Sequence, residues 1–207
     1  SARGTFQAEL TRIDFERLWM QRFCENLPRL VRGTLNPARL PVVFQAEPNR
    51  AAMQHCGTDI GRDDLVILGR GSFDFQRMSG DNHWAAMSLA PDDLAAAGEE
   101  TRVVHAAPAA MQRLRELHEA AVEIVRSGAA SRIRKPIGQT VENELVRAMV
   151  TCLAGPAHTE TNRRRKAHVV ARFEEYVSSR RYQAVYLEEV CAAIGVSEWV
   201  LRTSCRE

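Results

Sequence analysis

Apolar positions in the first 90 residues recur at every second place or gather into short runs, the spacing of strands rather than helices. Phe6, Ala8 and Leu10 alternate with polar neighbours, and so do Leu18 and Met20 on the way to Arg22. LPRLVRGTL at 27–35 keeps the alternation, and LPVVFQA at 40–46 is a mostly apolar run flanked by Pro41 and Pro48. DDLVILG at 63–69, SFDFQRM at 72–78 and HWAAMSL at 83–89 follow, parted by Gly, Asp and Asn turn residues. Many short strands with close turns predict a sandwich or barrel. Gly69 and Gly71 resemble a fragment of a phosphate-binding loop, but no helix pattern follows them, so a strand-to-strand turn is the reading.

After Pro91 the period changes. PDDLAAAGE at 91–99 predicts a short helix with acids in its first turn, where they suit the helix dipole. RVVHA at 102–106 is strand-like. PAAMQRLRELHEAAVEIVRSG at 108–128 is an amphipathic helix opened by proline and closed by Gly128. Its apolar stripe is Met111, Leu114, Leu117 or His118, Ala121, Ile124 and Val125. IGQTVENELVRAMVTCLAG at 137–155 predicts a second helix, with Val141, Leu145, Ala148, Met149 and Cys152 on one side. Such helices can pack on the strands, on each other or on a partner chain. GPAHTETN at 155–162 lacks periodicity and reads as a linker. A third helix is expected over 163–180, with Val169, Val170, Phe173 and Val177 inward.

The strongest local signal lies at 187–206, LEEVCAAIGVSEWVLRTSCR. Leu187, Val190, Cys191 and Ile194 form one apolar helical face. Gly195 can end that helix in a left-handed conformation, and Ser197 can cap the next one. In the second helix Val200, Leu201 and Cys205 make the buried side, leaving Trp199, Arg202, Thr203 and Arg206 outward. Two short helices joined by a tight glycine turn predict a helix-turn-helix, whose second helix can enter a DNA major groove. An ordinary αα-hairpin in a bundle shares the apolar spacing.

Composition narrows the choices. Of 207 residues, 45% are hydrophobic and 26% charged, the balance of a soluble globular chain, and no apolar run approaches the length of a membrane span. The opening residues lack a signal peptide's apolar core, so the expected location is cytoplasmic. A net charge of +2 does not announce a nucleic-acid partner, but seven Lys or Arg against two acids over 163–181 suit a phosphate backbone. A solvated helix face has the same composition. Five scattered cysteines form no CxxC pair, which favours reduced, buried thiols; Cys191 and Cys205, both in the last segment, leave a redox response open.

On RFEEYV at 172–177, YLEEVCAAIGVS at 186–197 and the helix holding Leu201, the chain resembles the AraC/XylS-type transcription regulators. HWAAMSLAPDDL at 83–94 extends the resemblance, less sharply, into that family's sensor domain. The resemblance implies an α+β protein: an N-terminal cupin-like β jelly roll with packed helices, then an all-α helix-turn-helix segment. It places a ligand-sensing and dimerisation domain at 1–155, with the jelly roll at about 5–106 and helices at 108–128 and 137–154. A linker at 156–162 follows, then an incomplete DNA-binding domain at 163–207, since family members continue through a linker helix and a second such unit. Partners implied are double-stranded DNA, a small-molecule effector, a second copy of the chain and RNA polymerase, with no membrane and no cofactor. By matching positions Trp199, Arg202 and Thr203 face bases, Ser197 at the start of their helix is counted with them as a DNA-binding residue, and Arg206, Arg163, Arg164 and Lys166 hold phosphates.

Catalysis finds little support in these residues. Metal-binding cupins cluster histidines with a glutamate, whereas His55, His83 and His105 are isolated and no HxH pair occurs. No GxSxG elbow is present, and His118, among apolar helix neighbours, reads as a packed residue. The expectation is therefore a regulator and not an enzyme; a cupin-type binding protein or enzyme is the alternative. A barrel can enclose a small molecule, and the wall candidates are Trp19, Phe44, His83 and Trp84, with Phe73 and Phe75, while Arg22 and Arg29 can pair with an anion.

Overall fold

The computed structural model describes residues 4–34, 36, 38–47, 53–55, 58–69, 73–89, 101–128, 135–154, 157–158, 162–180 and 183–205. The strand-spaced half gives β1 (Ala8–Asp14), β2 (Trp19–Glu25), β3 (Arg29–Thr34), β4 (Leu40–Gln45), β5 (Met53–His55), β6 (Thr58–Ile60), β7 (Asp64–Ile67), β8 (Phe73–Met78) and β9 (Asn82–Leu89). β10 (Arg102–His105) and β11 (Ala157–His158) follow later in the chain. They form a seven-stranded sheet, β1-β2-β9-β4-β7-β10-β11, and a four-stranded sheet, β3-β8-β5-β6. The helix expected at 91–99 lies outside the described residues.

The central strands of the larger sheet, β9, β4 and β7, are buried on both faces. On one face Met20, Val42, Phe44, Leu65, Ala85 and Met87 pack under helices; on the other Val43, Val66, Trp84 and Ala86 meet Met53, Ile60 and Met78 of the smaller sheet. Successive strand residues point to opposite faces, so a strand covered on both sides carries apolar side chains throughout. That is why LPVVFQA reads as a run instead of an alternation: β4 lies between β9 and β7.

The helical layer is α1 (Pro108–Arg126) and α2 (Lys135–Leu153), packed on each other and on the sheet. α1 opens with Pro108 in its first turn, and Gly128, with φ of 71°, lies just beyond its end. Its buried stripe is Met111, Leu114, Arg115, His118, Ala121 and Val122. His118 rather than Leu117 is the inward residue, and Ile124 and Val125 are only half-buried, because the stripe continues through Val122. On α2, Leu145, Ala148, Met149 and Cys152 are buried as the spacing predicts, with Val141 at the margin. Glu142 is also buried, and its Oε1 accepts the backbone N–H groups of Arg17 (2.6 Å) and Leu18 (2.8 Å), tying α2 to the turn between β1 and β2.

The segment read as a linker carries structure of its own. Ala157 and His158 form β11, paired antiparallel with Val104 and Val103 of β10, so the sheet gains an edge strand after the helices. Open backbone groups on β10 supply the reason, which no local pattern in GPAHTETN announces.

Three further helices, α3 (Asn162–Ser178), α4 (Leu187–Ile194) and α5 (Glu198–Ser204), close over a separate core of Val169, Val190, Cys191, Ile194, Val196 and Leu201. Phe173 and Tyr176 of α3 pack against it. Val177 does not: steps of four and three from Val169 reach Phe173 and Tyr176, and Val177 is turned about 100° further, toward solvent. Cys205 is likewise exposed, since α5 ends at Ser204, which takes the inward place instead.

Candidate functional site

The turn between α4 and α5 follows from two residues. Gly195 adopts φ 71° and ψ 35°, and its N–H donates to the Cys191 carbonyl at 2.9 Å, ending α4. Ser197 Oγ accepts the Val200 N–H at 3.2 Å, capping α5. Ser197 is itself buried, so its hydroxyl serves the cap and does not face outward.

With Leu201 and Ser204 turned inward, α5 offers two columns to solvent. In one, Trp199 is 73% exposed, and the Thr203 hydroxyl donates back to the Trp199 carbonyl at 2.7 Å. In the other, Arg202 Nε donates to Glu198 Oε1 at 2.7 Å, both side chains being more than half exposed. Lys166 on α3 is half-buried. Arg206 and the side chains of Arg163 and Arg164 lie outside the described residues. Arg180 stacks over Tyr176, its guanidinium carbon 4.6 Å from the ring centroid.

The helical unit rests on the outer side of the smaller sheet. Arg77 Nη1 of β8 donates to the Ala193 carbonyl in the last turn of α4 at 3.0 Å. A Cβ at Gly195 would stand 2.6 Å from Gln54 Oε1 of β5. Arg172 of α3 reaches the same Oε1 at 3.5 Å. Sequence reasoning missed Gln54 and Arg77. Their alternation with the buried Met53 and Met78 signals that they face outward, but nothing local says what they meet.

The five residues expected to line a ligand cavity do not converge, because the pleat divides them. Trp19 and Trp84 face the smaller sheet, where Phe23 stacks on Trp84 at 4.5 Å and the Trp84 indole donates to Glu25 Oε1 at 3.2 Å. Arg22, Phe44 and His83 stand on the opposite parity, toward the helices, since Arg22 pairs with Ala85 and Cys24 with His83 in the β2–β9 register. Phe44 is wholly enclosed against His118. The guanidinium of Arg22 is held by Glu119 and, at 2.7 Å, by Glu47, which also takes His83 Nδ1 at 2.6 Å. Between the sheets a residue not foreseen stands beside Trp84: Glu25, fully buried, bonded by Arg29 at 2.6 Å through Oε1, with Oε2 finding no partner among the described residues.

Burial pulls the His118 pKa down to about 4, helped by the positive charge of Arg22, so its ring is neutral near pH 7. Burial pushes the Cys152 thiol up to about 11, against the pull of Arg115. Both are packed groups rather than reactive ones. Among the described residues no group of three or more His, Cys, Asp or Glu is placed to hold a metal ion, and His105 is bonded to Asp64 at 2.8 Å.

No family model and no curated protein matches the chain. Among solved structures, the AraC-like transcriptional activator CuxR matches 96% of this chain and 74% of its own length at 15% identity, with a TM-score of 0.55. ToxT from Vibrio cholerae matches 97% and 75% at 10% identity, with a TM-score of 0.35. Oxalate oxidase in complex with glycolate matches 67% and 72% at 11% identity, with a TM-score of 0.30. The last two superpose too loosely to carry an argument; the first shows that this chain shares the fold of that solved structure.

Proposed function

We propose that the protein is a ligand-responsive, sequence-specific DNA-binding transcription regulator of AraC type. The carrying observation is the outward face of α5: a closed core lies beneath it, yet Trp199 and Arg202 remain in solvent. A large aromatic left 73% exposed on a short capped helix has no packing duty, and it suits thymine methyls or sugars. Arg202 suits guanine, and the basic run at 163–166 suits phosphates. In this reading residues 1–155 sense and dimerise, and 163–207 meet DNA. The dimer partner in this reading is a second copy of the chain, carried over from the family resemblance. No described helix is long and apolar enough to cross a membrane.

The effector is proposed to bind between the sheets, beside Trp84, Phe23 and Glu25. Coupling then follows from strand alternation. Met53 and Met78 face the inter-sheet core; on the other side their neighbour Arg77 bonds the last turn of α4, and Gln54 lies against Gly195. A ligand that shifts the two strands moves the turn with them, biasing an existing equilibrium. The protein is then a switch and not an enzyme.

Fluorescence anisotropy with labelled duplex DNA over a salt series tests the assignment. Affinity should fall linearly with salt on logarithmic axes, as phosphate neutralisation requires. Absence of binding at low salt would refute it.

A further inference from the structure

We infer that Glu198 is a second sequence-reading residue of α5, acting with Arg202 as one unit. The inference rests on the DNA-binding reading above and adds to it what the helix recognises.

The donor that Glu198 holds is Nε of Arg202, at 2.7 Å. Nε lies on one edge of a planar, rigid fork. Fixing that edge sets the plane of the guanidinium and leaves the Nη edge to meet guanine O6 and N7 together. Glu198 thereby does for Arg202 what a supporting side chain does for any bidentate reader: it selects one orientation before the base arrives.

Glu198 also has a contact of its own to offer. It stands in the first turn of α5, and in this docking mode the N-terminal residues of the second helix reach base edges. A carboxylate there accepts from the cytosine N4 amino group and repels phosphate. Residues four apart on a helix are separated by about 6 Å along its axis, roughly two base-pair steps. The 198/202 column therefore suits a guanine and a cytosine a step or two apart, while the Trp199/Thr203 column, its hydroxyl turned back to the helix, suits thymine methyls.

Charge explains why this is discrimination rather than affinity. The pair sums to zero, so it draws no phosphate and releases no counterion. An exposed ion pair at this spacing also adds little to helix stability, so the fold does not require it.

The test is a selection from a randomised duplex pool, with bound and input DNA sequenced, followed by anisotropy on the selected site and on a scrambled duplex. Wild type, Glu198→Ala and Glu198→Gln are compared, all three expected to melt together because position 198 is exposed. Glu198→Ala should cut the preference for guanine under Arg202 about tenfold, while binding to the scrambled duplex holds or strengthens. Glu198→Gln keeps an oxygen for Arg202 Nε and should recover most of that preference. If Glu198 acted only through its charge, both neutral variants would behave alike and the preference would stand, which overturns the inference. A wild-type protein that binds DNA with no sequence preference would instead sink the regulator reading, and this inference with it.

Discussion

Arg77 Nη1, on the outer side of the smaller sheet, donates to the carbonyl oxygen of Ala193 across 3.0 Å, although 116 residues separate the two in sequence. Ala193 lies in the last turn of α4, where carbonyls lack intrahelical partners and the dipole is negative, so a guanidinium is favoured there. The bond ties the helical unit to a strand whose next residue, Met78, belongs to the inter-sheet core. Arg77→Ala should cost about 1–2 kcal/mol of local stability and speed hydrogen exchange of the α4–α5 amides. Exchange in α1 should be unaffected. Equal protection of α4–α5 in both proteins would show that the contact does not hold the unit.

Gly195 carries two constraints that can be measured separately. Its φ of 71° strains any other residue by about 1–2 kcal/mol, and a Cβ there would press on Gln54 Oε1 at 2.6 Å. The second constraint is the end of a flexible side chain and can yield; the first cannot. Gly195→Ala should therefore destabilise α4–α5 by about 1–3 kcal/mol in urea unfolding. Adding Gln54→Ala should recover only part of the loss. Full recovery would mean that the backbone conformation costs nothing there.

How far the sequence speaks depends on whether its signals are local. Pro108, Gly128, Gly195 and Ser197 act within a few residues of themselves, and each ends or starts a helix where its chemistry predicts. β11 depends instead on an open edge some 50 residues away in β10, and Ala157–His158 carries no strand pattern of its own. The division of the candidate ligand residues between two faces has a related reason. Aromatic and basic residues can be picked out by type, but which of Trp19, Arg22, Phe44, His83 and Trp84 share a face depends on parity within each strand and on the β2–β9 and β4–β9 registers. Glu25, Glu142, Gln54 and Arg77 matter only through residues distant in sequence. By contrast, the outward Trp199 and Arg202 were legible because helical spacing around Leu201 fixes them.

Glu142 closes the helical layer onto the β1–β2 turn by taking the Arg17 and Leu18 amides with one buried oxygen. Glu142→Ala removes both bonds and leaves the Leu18 amide buried without an acceptor, at about 2–4 kcal/mol. Glu142→Gln keeps a carbonyl oxygen and should cost less than half of that. The urea midpoint should fall in that order with an unchanged m-value. Identical losses for the two variants would point to packing of the side chain, not to its hydrogen bonds.

His118 makes the stability depend on pH in a window set by its two pKa values. In the unfolded chain the imidazole titrates near 6.5, and in the folded protein near 4, because burial and the charge of Arg22 oppose a second positive charge. Between those values the unfolded state holds a proton that the folded state rejects. Stability from this residue is therefore complete above pH 6.5 and is lost as pH falls toward 4, by about 3 kcal/mol over the window. Nε2 donates to the Gln21 carbonyl at 3.3 Å, which fixes the neutral ring with Nε2 protonated. Glutamine at this position keeps a donor for that carbonyl and cannot titrate. The difference between wild-type and His118→Gln unfolding free energies, measured from pH 8 to pH 4, should be flat above 6.5 and slope below it. A difference that stays flat throughout would assign the acid sensitivity to the carboxylates and leave His118 as packing against Phe44 alone.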